Sequence, residues 1–209
     1  LGLVKVLLTG FGRLGKNYLS GLLKADDIVS EIYVCDPVVD QSNCDNSRVK
    51  SSTDIGVKVF FFSKLEDIEE SEFFLCINAV TSQVRYEVLR NVSTMFKVNY
   101  WLVEKVLATC RDDLERIDEL FGIPKTGTAF VNTCRSYFPW YHEIKGILPE
   151  KPLLQATVTG SNWGLACNAI HFIDLVEWLS GATILSFSLD RNGSFVASQR
   201  TGFIEFSGR

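Results

Sequence analysis

Three glycines near the amino terminus are spaced as in loops that bind the pyrophosphate of a dinucleotide. They fit the pattern G-x-G-x-x-G, with an apolar run before them and a helical pattern after them. The first glycine permits a tight turn, the second lets backbone N–H groups approach an anion, and the third lets the helix pack closely on the strand. The helix amino terminus adds a partial positive charge that favours the anion. The predicted cofactor-binding loop consists of Gly10, Phe11, Gly12, Arg13, Leu14 and Gly15.

An acidic residue ends the next apolar run, where it would face the adenosine ribose. Asp36 lies about 20 positions beyond the glycine loop, as the dinucleotide-binding pattern requires. Its carboxylate can accept hydrogen bonds from ribose hydroxyls but would repel a 2′-phosphate, which favours NAD over NADP. Arg13 acts in the opposite direction, because a guanidinium there can reach either the pyrophosphate or a 2′-phosphate. Asp36-Pro37 is also a common turn initiator, so the ribose and turn roles both stay open.

A second group of residues with possible chemistry shares one stripe of a helix. At about 100° per residue, positions 167, 171, 174 and 178 of the predicted helix 165–179 fall within about 60° of one another. The other faces are apolar, so this helix is expected to be buried nearly all round. His171 and Asp174 then need partners, because an unsatisfied buried polar group costs about 1 to 3 kcal/mol. A pair that faces a cleft and a structural pair that locks the helix both satisfy this requirement.

Two cations follow predicted strands. Lys105 comes just after the strand 100–103, and ligands of open parallel sheets bind beyond the carboxyl ends of the strands. In a partly desolvated cleft its ammonium group can transfer a proton or polarise a carbonyl, whereas on the surface it is only solvated. Arg135 follows the predicted strand 129–133 and can either clamp an anion or form an inter-domain ion pair.

Side chains suited to binding a sugar lie beside the helix that carries His171. Asn162, Trp163 and Asn168 are candidate contacts, because a tryptophan face stacks on C–H surfaces and amides form hydrogen bonds with hydroxyls. With Arg135 and Cys167 they form the predicted substrate-binding set.

The elements that must position these residues alternate between strand and helix over the first 125 residues. Strands that are apolar along their whole length and alternate with helices predict a parallel sheet covered on both faces. After the boundary segment at 122–127, strand-like runs follow one another with Asn192-Gly193 as a hairpin turn, which predicts an antiparallel sheet. We therefore predict a doubly wound Rossmann domain at 1–125 and an α+β domain at 126–209. The predicted strands are 4–9, 32–35, 57–62, 73–79, 100–103, 129–133, 154–159, 184–189, 194–198 and 203–206, and the predicted helices are 14–23, 83–95, 110–121, 140–148 and 165–179.

Composition and charge exclude several classes of protein. With 46% hydrophobic residues and only 5 prolines among 209, the chain has enough apolar material for a core. A formal net charge of −4 argues against binding to nucleic acid, and the apolar runs are shorter than the about 20 residues that span a bilayer. No C-x-x-C pair is present, so no metal site is predicted, and Cys35 and Cys76 are expected to be buried. We expect a cytoplasmic protein without nucleic-acid or membrane partners.

Three segments, taken with the glycine loop, resemble the Gfo/Idh/MocA family, which includes glucose-fructose oxidoreductase and inositol dehydrogenase. The sequence CINAVT at 76–81 is similar to the family's I-A-T-P segment, and VEKV at 103–106 is similar to its E-K-P motif. CNAIHFID at 167–174, followed by WLSG at 178–181, is similar to its D-x-G-x-H-x-x-D helix and W-L-x-G ending. The resemblance implies a Rossmann domain followed by an α+β domain with an open, mostly antiparallel sheet, which is incomplete in this chain. It also implies an active site between the domains, where a sugar, cyclitol or nucleotide sugar meets the nicotinamide.

The resemblance further implies roles for individual residues. Lys105 would donate a proton or polarise the carbonyl, His171 would be the general base, and Asp174 would orient His171. Ala79 and Glu104 would join Lys105 at the cofactor. The activity implied is that of an NAD-dependent oxidoreductase acting on CH–OH groups. An open antiparallel sheet in the second unit would favour burial in a homodimer or homotetramer.

Two departures from the family pattern leave alternatives open. Val106 stands where the E-K-P motif has proline, and Cys167 and Ala169 replace the first acid and the glycine of the helix motif. A thiol, with a pKa of about 8.5 in model peptides, does not do the work of an aspartate at neutral pH. One alternative is therefore a catalytically inactive dinucleotide-binding sensor or partner subunit. Another is a dehydrogenase of an amino-acid semialdehyde, which would place an anion clamp near Arg135.

Overall fold

The chain forms two compact units, Leu1–Asn132 and Thr133–Arg209. None of the helices in the described part of the chain has the length and apolar character needed to cross a membrane. The computed structural model describes residues 2–39, 56–122, 126–150, 152, 155–160, 164–186, 188, 195–198 and 204–206.

Unit 1 contains a six-stranded sheet with helices between its strands. Its elements in chain order are β1 Val4–Thr9, α1 Arg13–Leu22, β2 Val29–Cys35, β3 Lys58–Phe62, β4 Glu72–Asn78, α2 Arg85–Met95, β5 Lys97–Val103, α3 Arg111–Phe121 and β6 Thr128–Val131. The strand order is β3-β2-β1-β4-β5-β6, and every neighbouring pair is parallel. From β1 the chain adds β2 and β3 on one side of the sheet and then β4, β5 and β6 on the other side. Doubly wound sheets bind ligands at this switch point between β1 and β4. The predicted Rossmann-type fold is confirmed.

Both faces of this sheet are buried in apolar clusters. Leu7 and Cys76 belong to one cluster, whereas Val6 and Leu8 belong to the other. Alternate residues of β1 therefore point into two different cores, as expected for a strand covered on both faces. Cys35 and Cys76 are buried as predicted, and burial raises the pKa of the Cys35 thiol to about 12, so it stays neutral at physiological pH.

The last strand of unit 1 was expected in the second domain. β6 pairs in parallel with β5, with Ala129 opposite Trp101. The indole Nε1 of Trp101 donates a hydrogen bond to the carbonyl oxygen of Thr126 at 2.6 Å, which anchors the approach to β6. The first unit consequently extends to Asn132, beyond the position 125 at which the sequence pattern placed the boundary.

Unit 2 combines helices with a small antiparallel sheet. Its elements are a 3-10 turn at Cys134–Tyr137, α4 Pro139–Ile147, α5 Leu165–Ser180, β7 Phe195–Ala197 and β8 Ile204–Phe206. β7 and β8 are antiparallel, in agreement with the predicted α+β character. Helix α5 ends at Gly181, whose φ of +67° is the left-handed conformation that ends many helices. The hairpin turn predicted at Asn192-Gly193 lies outside the described residues.

Two expectations for unit 2 are wrong. The described residues 155–160 and 184–186 form no strand, although strands were predicted over 154–159 and 184–189. A β-type sequence forms a strand only where a hydrogen-bonding neighbour is available. Helix α5 is not buried all round either, because it packs on one side against β8 and the 3-10 turn. Ile170 and Ile173 of this helix are each 40% exposed.

Candidate functional site

The glycine loop joins β1 to α1, and its three glycines have different surroundings. Gly10 has a φ of +88°, and a Cβ atom there would lie 2.8 Å from the backbone nitrogen of Val80. A Cβ atom on Gly15 would lie 2.0 Å from the carbonyl oxygen of Gly10. A Cβ atom on Gly12 would meet no described atom within 4 Å. The fold therefore requires glycine at positions 10 and 15, whereas Gly12 borders open space.

The amino terminus of α1 begins at this open space. Gly12 is the N-cap residue, and no side chain of the described residues caps the helix. The first turn carries no acidic residue, and both Arg13 and Leu14 in it are exposed. The N–H groups of the first turn and the positive end of the helix dipole are thus available to an anion. This arrangement fits a pyrophosphate group.

Asp36 holds the glycine loop from the end of β2. Its Oδ2 accepts a hydrogen bond from the backbone N–H of Phe11 at 2.6 Å, and its Oδ1 accepts one from Val38 at 2.8 Å. The hydrogen bond to Val38 closes the turn that the Asp-Pro pair predicts. A carboxylate has about four acceptor positions, so acceptor capacity remains for ribose hydroxyls. The turn role of Asp36 is present in the structure and is compatible with the ribose role.

The residue before Lys105 lies in a buried hydrogen-bond cluster. Glu104 follows β5 directly and is 5% exposed. Its Oε1 accepts hydrogen bonds from the hydroxyl of Tyr18 and, at 2.7 Å, from Nδ2 of Asn132. Asn132 also donates to the Tyr18 hydroxyl at 2.7 Å. These side chains come from α1 and from the ends of β5 and β6, so Glu104 joins three elements at the carboxyl edge of the sheet.

Lys105 and Ala79 lie at this same edge of the sheet. Lys105 is half-buried, and its peptide bond to Val106 is cis. The N–H of Ala79 donates to the carbonyl oxygen of Thr9 at 2.8 Å, which holds the end of β4 against the end of β1. Because the turn at Gly10 passes within contact distance of Ala79, the structure brings the glycine loop and the predicted cofactor residues of β4 and β5 to one edge of unit 1.

Unit 2 contains the predicted acid–base pair on α5. His171 is 8% exposed, and Asp174, one turn further along, is half-buried. Cys167 and Asn168 occupy the preceding turn, where Asn168 Nδ2 donates to the carbonyl oxygen of Gly164 at 3.2 Å. The predicted stripe therefore begins at the amino-terminal end of the helix and includes its most buried polar residue.

Arg135 lies against α5 in the same unit. The central carbon of its guanidinium group is 3.9 Å from the centroid of the Phe172 ring, a cation–π distance. Its positive charge is therefore held beside the residue that follows His171. Asn162 and Trp163 lie outside the described residues. In the part of the chain that is described, no cluster of three or more His, Cys, Asp or Glu side chains could hold a metal ion.

Two charged residues at these sites were not identified from the sequence. Arg85, the first residue of α2, is 2% exposed and donates hydrogen bonds to the carbonyl oxygens of Val106 and Leu107, which follow Lys105, and to that of Val80, which follows β4. Glu205 on β8 reaches the amino terminus of α5, where a Cβ atom on Gly164 would lie 3.1 Å from its Oε1. Neither residue belongs to a motif, and the contacts that mark them out join segments separated in the sequence: Arg85 reaches Val106 and Leu107, and Glu205 reaches Gly164. No local signal could have identified them.

The fold is that of a group of dehydrogenases and of a repressor. Scans against protein-family models and curated proteins found no match. Among solved structures, myo-inositol 2-dehydrogenase from Lactobacillus plantarum is 15% identical over 91% of this chain and 58% of its own, with a TM-score of 0.63. The WlbA dehydrogenase from Chromobacterium violaceum, in complex with NADH and UDP-GlcNAcA, is 19% identical over 85% of this chain and 55% of its own, with a TM-score of 0.58. A super-repressor mutant of Gal80p from Saccharomyces cerevisiae is 16% identical over 98% of this chain and 61% of its own, with a TM-score of 0.68.

These similarities establish a shared fold. An inositol dehydrogenase is among the solved structures that share this fold. The chain spans about three-fifths of the length of these solved structures.

Proposed function

We propose that this chain is an NAD-dependent oxidoreductase that transfers a hydride between the nicotinamide and a secondary alcohol or ketone of a sugar, cyclitol or nucleotide sugar. The glycine loop is the observation that carries the proposal. It combines open space at Gly12, an uncapped helix amino terminus among the described residues, and the carboxylate of Asp36 bonded to the loop backbone. The NADH and nucleotide sugar bound by the WlbA dehydrogenase support the cofactor and the substrate class.

The side chains would divide the proton chemistry between them. When bound, a nicotinamide dinucleotide supplies the hydride donor or acceptor. In the oxidation direction, His171 takes the proton of the substrate hydroxyl, and Asp174 orients the imidazole ring. Lys105 places its positive charge near the oxygen on which negative charge develops. In the reduction direction, protonated His171 returns the proton. Lys105 and His171 belong to different units, so each is tested separately.

The remaining predicted residues would bind cofactor and substrate. Glu104 is proposed to act at the cofactor edge through its contacts with Tyr18 and Asn132, because its own carboxylate is almost fully buried. Arg135, held by the Phe172 ring, is suited to a substrate oxygen or carboxylate. The proposed substrate contacts are Arg135, Asn162, Trp163, Cys167 and Asn168. A homo-oligomeric state and a cytoplasmic location stay predictions from the sequence.

The enzyme proposal is tested with a panel of inositols, sugars and nucleotide sugars in the presence of NAD, followed by the absorbance of NADH. We expect turnover with at least one class of cyclic polyol and a large loss of turnover in His171→Ala with NADH binding retained. NADH binding without turnover across the whole panel would overturn the enzyme proposal while leaving the cofactor site intact.

A second candidate function is a dinucleotide-binding protein that does not catalyse. Two observations favour it: Cys167 stands where the resembled helix has its first acid, and Gal80p, a repressor, shares the fold over 98% of this chain. Under this alternative, the wild-type chain binds NADH but turns over no substrate of the same panel. Turnover by the wild-type chain would exclude it.

Replacing Asp36 with asparagine is expected to reduce the preference for NADH over NADPH. The amide oxygen can still accept a hydrogen bond from Phe11 N–H, but the negative charge that repels a 2′-phosphate is lost. We expect the ratio of the two dissociation constants, measured by protein fluorescence, to change about tenfold, or about 1.4 kcal/mol. Asp26→Asn, in an exposed turn after α1, is the control. An unchanged ratio in Asp36→Asn would argue that Asp36 serves the turn alone.

A further inference from the structure

We infer that Arg85 is a positioning residue: its hydrogen bonds connect the loops that follow β4 and β5, and these bonds hold Lys105 in position. The segment 104–108 after β5 is called the Lys105 loop. The inference rests on the proposed function, in which Lys105 acts at the substrate oxygen. Arg85 would act through the backbone of this loop.

The contacts of Arg85 join two loops that are distant in the sequence. Nη2 donates a hydrogen bond to the carbonyl oxygen of Val80, after β4, at 2.7 Å. Nη1 donates to the carbonyl oxygens of Val106 and, at 3.1 Å, of Leu107, both after β5. One rigid guanidinium group therefore fixes the separation of the two chain segments. Both segments lie at the carboxyl edge of the sheet, where the glycine loop also lies.

Burial of this cation makes a purely stabilising role a poor explanation. Arg85 is 2% exposed, and burial lowers its pKa to about 10, an effect that the nearby negative charge of Glu104 opposes. The guanidinium group therefore stays charged at neutral pH, although burial has removed most of its contact with solvent. Its Nε is buried without an acceptor among the described residues. A buried charge is often no more stabilising than an apolar side chain of similar volume. What arginine adds here is the defined geometry of three donor–acceptor contacts.

The Lys105 loop is held on both sides of the lysine. Before Lys105, Glu104 is bonded to Tyr18 and Asn132. After Lys105, the carbonyl groups of the next two residues are bonded to Arg85. The backbone on either side of the lysine is thus fixed by a buried charged side chain. Without the Arg85 contacts, the backbone that follows Lys105 is released. The ammonium group of Lys105 would then no longer be held in one position.

The first test measures the lysine without requiring activity. The full chain is labelled with 13C-methyl groups on its lysines, and the Lys105 signal is assigned with Lys105→Arg. We expect Arg85→Met to shift this signal and to accelerate amide hydrogen exchange at 105–108 by about tenfold or more. Arg90→Met, on the exposed side of the same helix, is the matched control and should change neither. An unchanged Lys105 signal and unchanged exchange in Arg85→Met would overturn the inference.

Two further variants separate positioning from stability and from charge. Ile32→Ala removes a fully buried side chain from β2 and should lower the melting temperature without moving the Lys105 signal. If Ile32→Ala moves it as much as Arg85→Met does, the effect is general destabilisation and the inference fails. Arg85→Lys keeps the charge but lacks the planar fork that spans both loops, so we expect it to resemble Arg85→Met. It also serves as the test variant if Arg85→Met does not fold. A wild-type result in Arg85→Lys would overturn the bridging role.

The kinetic test depends on turnover by the wild-type chain. Arg85→Met is expected to lower kcat about 10- to 100-fold, because Lys105 is displaced, and to change the KM for NAD by a smaller factor, because the helix amino terminus and Asp36 are untouched. An equal loss in Ile32→Ala would contradict this expectation. Failure of the wild-type chain to turn over any substrate would count against the proposed function alone. The signal and exchange measurements would still decide the role of Arg85.

Discussion

Alanine at position 15 is expected to destabilise unit 1 by about 3 kcal/mol, a large part of the about 5 to 15 kcal/mol that holds an ordinary domain folded, and to weaken NADH binding because the glycine loop is displaced. The added Cβ would lie 2.0 Å from the carbonyl oxygen of Gly10, and this oxygen belongs to the backbone and cannot rotate away. Either α1 moves off the sheet or the turn at Gly10 opens. Urea unfolding of Gly15→Ala and of the wild-type chain measures the difference.

The same substitution at position 12 is the matched control and has a different expected result. Gly12 has a φ of −68°, which alanine adopts without strain, and a Cβ there would border open space. We expect the free energy of unfolding of Gly12→Ala to stay within about 1 kcal/mol of wild type. NADH affinity should nevertheless fall by about tenfold, since the methyl group would occupy the proposed pyrophosphate space. Unchanged affinity in Gly12→Ala would place the cofactor elsewhere.

Lys105→Met is expected to lower turnover by about 100- to 10,000-fold, the usual range for the loss of a group that transfers a proton or stabilises the charge that develops on the reacting oxygen. NADH affinity should fall much less than turnover, because the glycine loop and Asp36 are untouched, although Lys105 is also a predicted cofactor contact. Steady-state kinetics with the best substrate of the panel, together with fluorescence titration of NADH, separates the two quantities.

Lys97→Met is the control for this experiment. Lys97 begins the same strand whose other end precedes Lys105, and its exposed ammonium group pairs with Glu72 at 3.1 Å. An exposed pair of this kind contributes little to stability. We expect turnover within about twofold of wild type. Equal activity of Lys105→Met and Lys97→Met would remove Lys105 from the mechanism.

The parts of the fold that depend on local sequence could be predicted. β1 was predicted with the bounds that the structure has, because a short apolar run ends at a glycine that only a turn explains. The position of Asp36 beside the glycine loop followed from the spacing between them, and the end of α5 followed from Gly181. In each of these cases the residue type and its sequence neighbours already contain the physical cause.

The features that depend on distant partners could not be predicted in the same way. β6 joins the parallel sheet because β5 offers an open edge, and nothing within 128–131 specifies this neighbour. The exposed side of α5 reflects what packs against the helix, although its apolar composition suggests full burial. Arg85 shows the same limit for the site, because its function is defined by carbonyl groups that follow two other strands. A lone arginine in a helix carries no such information.

The strand order of unit 1 also has a consequence for how the chain folds during synthesis. β1 lies in the middle of the sheet, with β2 on one edge and β4 on the other. β2 follows β1 closely in the chain, but β4 begins only at Glu72. Until β4 has been synthesised, the mostly apolar β1 keeps one edge of unpaired backbone groups, and such edges favour association between chains. Formation of the central sheet therefore has to wait for β4, and during this interval the nascent chain is open to edge-to-edge association.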